Sequence, residues 1–405
     1  MMNLDKMKKK CINYMNKLCV EVTERCVGSE GNRHATEYFR KTLQSLGWET
    51  ELQEFAAIDW SNGGAELKIN DRIFEVFVSP YSLGFQGMAQ LQSASTISEL
   101  ERAILKDKIL LLHGELAKEQ LMPKNFVFYN PEEHQRIIAA LEQAEPVAII
   151  CVTGRNASLA GGVYPFPLIE DGDFDIPSVY MTEEEGARII PFIGENVSLI
   201  ITSERIPSIG YNVIGTNGKE NGKRVVITAH IDSKKGTPGA TDNATGITIL
   251  LLLAEMLKDY QGTIQIEIVA LNGEDYYAVP GQMTYIIENK GLFDSILLNI
   301  NIDGAGYEKG KSTFSFFNLP EIIKGKAYSA FKNSSNIKEG IQWPQGDHSI
   351  FLQNGVPAIA VSSEWFTEKN ESQDITHTEK DNIEIVDFKK VVEIAEVITK
   401  MIKNI

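Results

Sequence analysis

Apolar positions recur at helical spacing near the start of the chain. They suggest a helix to about Cys26, a Val27–Gly31 loop, and a second helix over Asn32–Leu46. That second helix stacks Ala35, Phe39, Leu43 and Leu46 on one face, with Asn32 as its cap and Gly47 as its stop. Trp48–Phe55 then alternates as a strand does. Between about Ala65 and Arg205 the texture changes. Short apolar runs at Phe74–Val78, Lys108–Leu112, Pro146–Val152 and Val197–Ile201 surround one amphipathic helix near Glu132–Gln143. This stretch, residues 65–205, reads as an inserted, mainly β domain, with 1–64 and 206–405 forming the other domain. From Tyr211 onward, continuous Val/Ile/Leu strands alternate with helices: Arg224–Thr228, a helix from Ala244 to Tyr260, then Ile264–Leu271, Ile296–Ile302 and Pro357–Val361. Strands apolar on both faces belong to covered, parallel sheets, so the expectation is an α/β fold with a mostly parallel central sheet and helices on both sides. A last helix, capped by Asp387, presents Val391, Ile394, Ala395, Ile398 and Ile402 inward.

Composition narrows the function. The 405 residues carry 39 basic and 55 acidic side chains, a formal charge of −16. Such a surface repels phosphate backbones and anionic lipid, which argues against nucleic-acid and membrane partners. The longest apolar run, Ile249–Ala254, stops at Glu255, far short of the ~20 residues a membrane helix needs. Four cysteines, Cys11, Cys19, Cys26 and Cys151, form no CxxC pair, and the basic N-terminus lacks a continuous apolar core. A cytoplasmic location is the expectation. The aromatic cluster Phe126–Tyr129 reads as insert core, with a homo-oligomer contact as the alternative.

The chemistry gathers at strand ends. Arg224–Thr228 runs into His230 and Asp232, Ile264–Leu271 into Glu274 and Asp275, and Ile296–Ile302 into Asp303; His377 follows the last strand, and Asp242 opens the Ala244 helix. Ligands of open α/β sheets bind outside the carboxyl ends of the strands. Singly, each of these residues is also what a solvated turn looks like. Together they crowd carboxylates onto one edge, where they would repel unless cations offset them. Two divalent ions would do so, with the histidines as neutral nitrogen ligands. Mixed imidazole and carboxylate ligation suits zinc, with cobalt or manganese as substitutes.

The segments AHIDSKKGTPGATDNATG, IEIVALNGEDYY, LLNINIDGAG, GDHSIFLQNGVPAI and ITHTEKDNIEIVD resemble, in order, those of the M28 family of co-catalytic zinc peptidases. The region leading to GYNVIG resembles a protease-associated insert. The resemblance implies that His230 and Asp303 bind one metal, Asp275 and His377 the other, and that Asp242 bridges them. It gives Asp232 the task of orienting His230, and Glu274 that of general base toward a hydroxide held between the ions. Asp347 and His348 match a family pair; with Tyr276 and Asp381 they are candidates for supporting the ligands or touching substrate. The expected activity is that of an aminopeptidase acting on the N-terminal bond of peptides. A carboxypeptidase or amidase on the same scaffold, or a non-catalytic binding homologue, are the alternatives. Glu274-Asp275 stands where the family often has Glu-Glu, and Tyr276–Gln282 replaces its usual glycine-rich turn.

Overall fold

The computed structural model describes residues 4–155, 163–219, 222–369 and 374–405. Contacts divide the chain into one unit of Met1–Ala57 with Ile209–Ile405 and a second of Ile58–Ser208. The chain passes between them within two long strands, Glu49–Ile69 and Asn196–Asn217.

In the first unit the strands lie in the order Ile337–Glu339, Ser312–Phe317, Ala358–Ser363, Ile296–Ile302, Arg224–His230, Gln265–Leu271, then the end of Asn196–Asn217. The four strands from Ala358–Ser363 to Gln265–Leu271 are mutually parallel, and an antiparallel strand flanks them on either side. This is the expected α/β architecture. Helix Thr245–Leu257 is buried along its whole length, as its near-continuous Ile/Leu sequence demands. It packs with Phe388–Ile402, Leu4–Asn16 and Glu30–Ser45 in one apolar core. A separate aromatic group, Tyr285, Phe293 and Phe351, packs where helix His348–Gln353 meets the sheet. The segment Ala240–Leu257 is long and apolar enough to cross a membrane, but 89% of it is buried inside the protein.

The second unit pairs Phe85–Ala94, Lys108–Leu112, Ala148–Thr153 and Ser178–Thr182 in parallel, with helix Glu132–Ala144 over an apolar core that includes Leu110, Leu112, Ile149 and Cys151.

Three local expectations need correction. The opening helix ends earlier than Cys26: Leu4–Asn16 continues only into a π turn, Lys17–Glu21. The second helix is capped by Ser29, whose hydroxyl accepts from the Asn32 N–H, because the Asn32 side chain is engaged elsewhere. Phe126–Tyr129 is not core. Val127 and Tyr129 are exposed, and Phe126 and Phe128 pack on one another instead. The alternation of the segment turns every second side chain outward.

Candidate metal centre

Because four neighbouring strands are parallel, their carboxyl ends share one edge. His230 is the last residue of its strand and lies in register with Leu271. Asn272–Asp275 continue from Leu271. Asp303 follows Ile302, and its N–H bonds the Val361 carbonyl at 2.9 Å. Asp242 sits in the π turn Ala240–Ala244, ahead of the buried helix, at φ −123° and ψ 80°, and its peptide bond to Asn243 is cis. His377 adopts a left-handed φ of 63° in a turn closed by Thr378 N–H to Ile375 carbonyl. Between helix Glu364–Lys369 and this turn, residues 370–373 lie outside the described residues.

These side chains form two triads that share Asp242. His230 Nε2 is 3.1 Å from Asp242 Oδ1 and 3.5 Å from Asp303 Oδ1. His377 Nε2 is 3.2 Å from Asp242 Oδ2 and 2.9 Å from Asp275 Oδ1. Asp242 therefore turns one oxygen to each triad. Zinc–ligand bonds of ~2.0–2.1 Å in a tetrahedron place ligand atoms ~3.3 Å apart. The histidine–carboxylate distances in both triads lie near that edge length, and in each the ligand atoms all lie within 4.8 Å of one another. His230 Nε2, the ring nitrogen turned to the first triad, is buried without a well-formed hydrogen bond, as is Asp275 Oδ2. Such orphaned donor atoms are what a metal ion would satisfy. His230, Asp232 and Asp275 are buried, whereas Asp242, Glu274, Asp303 and His377 are half-buried, so the cluster is partly open to solvent.

The electrostatics point the same way. Burial disfavours a charged imidazole, but the carboxylates overcome it. Asp303, with Asp232 and Asp242, holds His230 well above its ordinary value. Asp275 and Asp242 bring His377 up to about 10. Burial also raises the acids, and neighbouring carboxylates add to it. Glu274 is pushed well above the usual carboxylate range, with Asp303, Asp275 and Asp347 contributing, while Asp347 rises to about 7 and Asp381 to about 6. Without cations, the cluster stays together by retaining protons.

The remaining sequence candidates divide by what they touch. Asp232 is fully buried and accepts three backbone N–H groups, from Gly273 (2.7 Å), Glu274 (3.3 Å) and Asp275 (2.9 Å). Its Oδ1 lies 3.7 Å from His230 Nδ1. Asp381 accepts from Thr241 N–H, Thr241 Oγ1 and Asp242 N–H at 2.7–3.0 Å, which fixes the turn that carries Asp242. Asp347 is buried and accepts from Gln282 Nε2 at 3.0 Å. His348 bonds the Trp343 carbonyl and packs its ring against Trp343 and Phe317, and it is a member of neither triad. Tyr276 is buried against Tyr277, with ring centroids 4.5 Å apart. Sequence reasoning passed over Asn243, whose amide donates to the Ile302 carbonyl and ties the Asp242 turn to the end of the strand that precedes Asp303. It also passed over Gln282, Asn272 and Arg25. Their partners are backbone groups, a distant amide or a distant carboxylate, which leave no spacing pattern in a sequence.

Residues 212–402 match the model of Peptidase family M28. That region belongs to peptidase family M28. The M28 region holds every member of both triads. Among curated relatives, aminopeptidase YwaD of Bacillus subtilis is 25% identical over 249 residues, which cover 58% of this chain and 52% of that protein. The probable leucine aminopeptidase 2 of Aspergillus oryzae is 21% identical over 357 residues, covering 87% of this chain and 63% of its own. The chain thus spans about half to three-fifths of the length of these curated relatives. The solved zinc aminopeptidase BSAP of Bacillus subtilis shares the fold of the M28 region and its companion unit, with a TM-score of 0.73 at 17% identity over 98% of this chain and 94% of that one.

Proposed function

We propose that this chain is a metal-dependent aminopeptidase that hydrolyses the N-terminal peptide bond of peptides, with two zinc ions held through Asp242. The observation that carries the reading is the pair of triads, each taking one oxygen of Asp242, with Glu274 directly before the Asp275 of the second triad. The aminopeptidase relatives, one of them a zinc enzyme, support the reaction class.

In this reading His230 and Asp303 hold one ion, and Asp275 and His377 the other. Bound divalent ions supply Lewis-acid polarisation of the scissile carbonyl and acidify the attacking water. Glu274 takes the proton from that water as the oxygen adds to the carbonyl carbon. When the C–N bond breaks, the same carboxyl returns the proton to the leaving amine nitrogen. Asp232 holds the backbone on which Glu274 and Asp275 sit, and Asp381 holds that of Asp242. A cytoplasmic location belongs to the same proposal, supported by four cysteines that are all free thiols.

The test compares an aminoacyl-anilide with an N-blocked peptide, using zinc-loaded wild-type and Glu274→Gln protein. Cleavage of the free-amine substrate by the wild type alone is expected. Cleavage of only the blocked peptide would assign a carboxypeptidase or amidase instead. Equal inertness of both proteins, with zinc bound, would favour a binding role.

A further inference from the structure

We propose that Arg25 is a positioning residue for the metal centre, one that fixes the spacing of the His230 and Asp242 backbones from behind. The inference rests on the metal-centre reading above.

Arg25 lies far from the triads in sequence, and is 1% exposed. Its guanidinium spends its donors on four backbone carbonyls. Nε donates to Ile231 at 3.0 Å, Nη1 to Leu18 at 2.6 Å and Pro238 at 2.8 Å, and Nη2 to Gly239 at 2.8 Å. Ile231 separates His230 from Asp232. Gly239 immediately precedes the turn that contains Asp242. One planar group thereby joins the strand end that presents one ligand to the loop that presents the next. Packing at the joint is close: a Cβ at Gly239 would fall 2.8 Å from Arg25 Nη2 and 2.5 Å from the Asp242 carbonyl oxygen.

The same segment reaches the other half of the centre. The Arg25 carbonyl accepts from Asn32 Nδ2 at 2.9 Å. Asn32 and Asn272 exchange a reciprocal pair of amide hydrogen bonds, each 2.9 Å. Asn272 stands two residues before Glu274. The Arg25–Asn32 segment is thus tied to both loops that feed the triads.

A buried guanidinium is an expensive way to join two loops if only packing is needed, since taking a charge out of water is costly. Its rigid fork does what an apolar side chain does not: it sets several carbonyls at fixed distances and angles. Metal sites tolerate errors of only ~0.2 Å in ligand placement, so a fixed spacing between the His230 and Asp242 backbones translates into affinity.

The experiment uses the full chain and three variants: Arg25→Met, Arg25→Lys and, as a control, Arg224→Met. Arg224 is also largely buried, but it bonds Glu267, Asn289 and Ser295, away from the triads. Zinc affinity is measured by competition with a chromophoric chelator, and ligand geometry by the visible bands of the cobalt-substituted protein. Arg25→Met is expected to bind zinc about 10–100-fold more weakly, the range seen when groups that orient metal ligands are removed. Its cobalt bands should shift, those of Arg224→Met should not, and Arg25→Lys should fall between. Wild-type affinity and bands in Arg25→Met, or an equal loss in Arg224→Met, would overturn the inference while leaving the metal centre intact. Should Arg25→Met not fold, Arg25→Lys carries the same two outcomes. Absence of zinc uptake by the wild-type protein would overturn the metal-centre reading and this inference with it.

Discussion

Asp232→Asn separates two ways in which a buried carboxylate serves the centre. The wild-type side chain receives the N–H groups of Gly273 and Glu274 on Oδ1 and that of Asp275 on Oδ2. An asparagine keeps one acceptor oxygen. If that oxygen takes the Oδ1 place, the new NH2 faces the Asp275 N–H, which is left without a partner. Losing one hydrogen bond to a charged group costs about 1.5–3 kcal/mol. The two surviving bonds also drop to neutral strength, roughly half their former value, adding about another 1.5–3 kcal/mol. Local opening of the Gly273–Asp275 segment should become easier by at least about 3 kcal/mol, which is on the order of 100-fold or more faster amide exchange. Hydrogen exchange read by mass spectrometry on the peptide covering these residues measures this directly, with the Ser312–Phe317 strand as an internal reference. Exchange within about threefold of wild type would refute the reasoning and leave Asp232 only its place beside the His230 ring.

Glu274→Gln should lower hydrolysis by roughly 10²–10⁴-fold while zinc content stays unchanged, as loss of a general base does; a parallel loss of zinc by elemental analysis would make Glu274 a ligand instead. In the ion-free protein, Asp381 at about 6, Asp347 at about 7 and His377 at about 10 all bind protons more tightly folded than unfolded. The stability they contribute is complete below their unfolded values, near 3.8 for the acids and 6.5 for the imidazole, and is lost as pH rises through the folded ones. Zinc competes with those protons, so the melting-temperature gap between zinc-loaded and chelator-treated protein should widen from pH 5 to pH 9; a narrowing gap would contradict this. Gly281→Ala should destabilise, because its Cβ would lie 2.2 Å from the Asn272 carbonyl oxygen and 2.5 Å from Asn212 Oδ1. Gly325→Ala, in helix Glu321–Phe331 with open space around it, should instead stabilise by roughly 0.5–1 kcal/mol in urea unfolding.

What the sequence revealed follows the logic of periodicity. The strands ending at His230, Leu271 and Ile302 were legible because each is a continuous apolar run, and parallel pairing then carries their chemistry to one edge. Asp387 was legible as a cap, because its side chain acts locally and accepts from Lys389 N–H. Asn32 misled for the opposite reason. It stands in the first turn of a helix, where a capping amide is plausible, yet its side chain pairs with Asn272, 240 residues away. Arg25 was invisible because carbonyl partners have no sequence signature. Asp232 was read through its nearest motif neighbour, His230, while its hydrogen bonds run to a loop on the next strand. Local chemistry is written in the chain, whereas long-range polar ties depend on a geometry that only the folded backbone supplies.

The central claim is that a pair of divalent cations belongs between these side chains. A crystal grown with zinc and measured on both sides of the zinc absorption edge addresses it directly. Two anomalous peaks are expected, one among His230, Asp242 and Asp303, the other among Asp242, Asp275 and His377. Zinc absent from both triads, with Asp242 turned away from either histidine, would contradict the account.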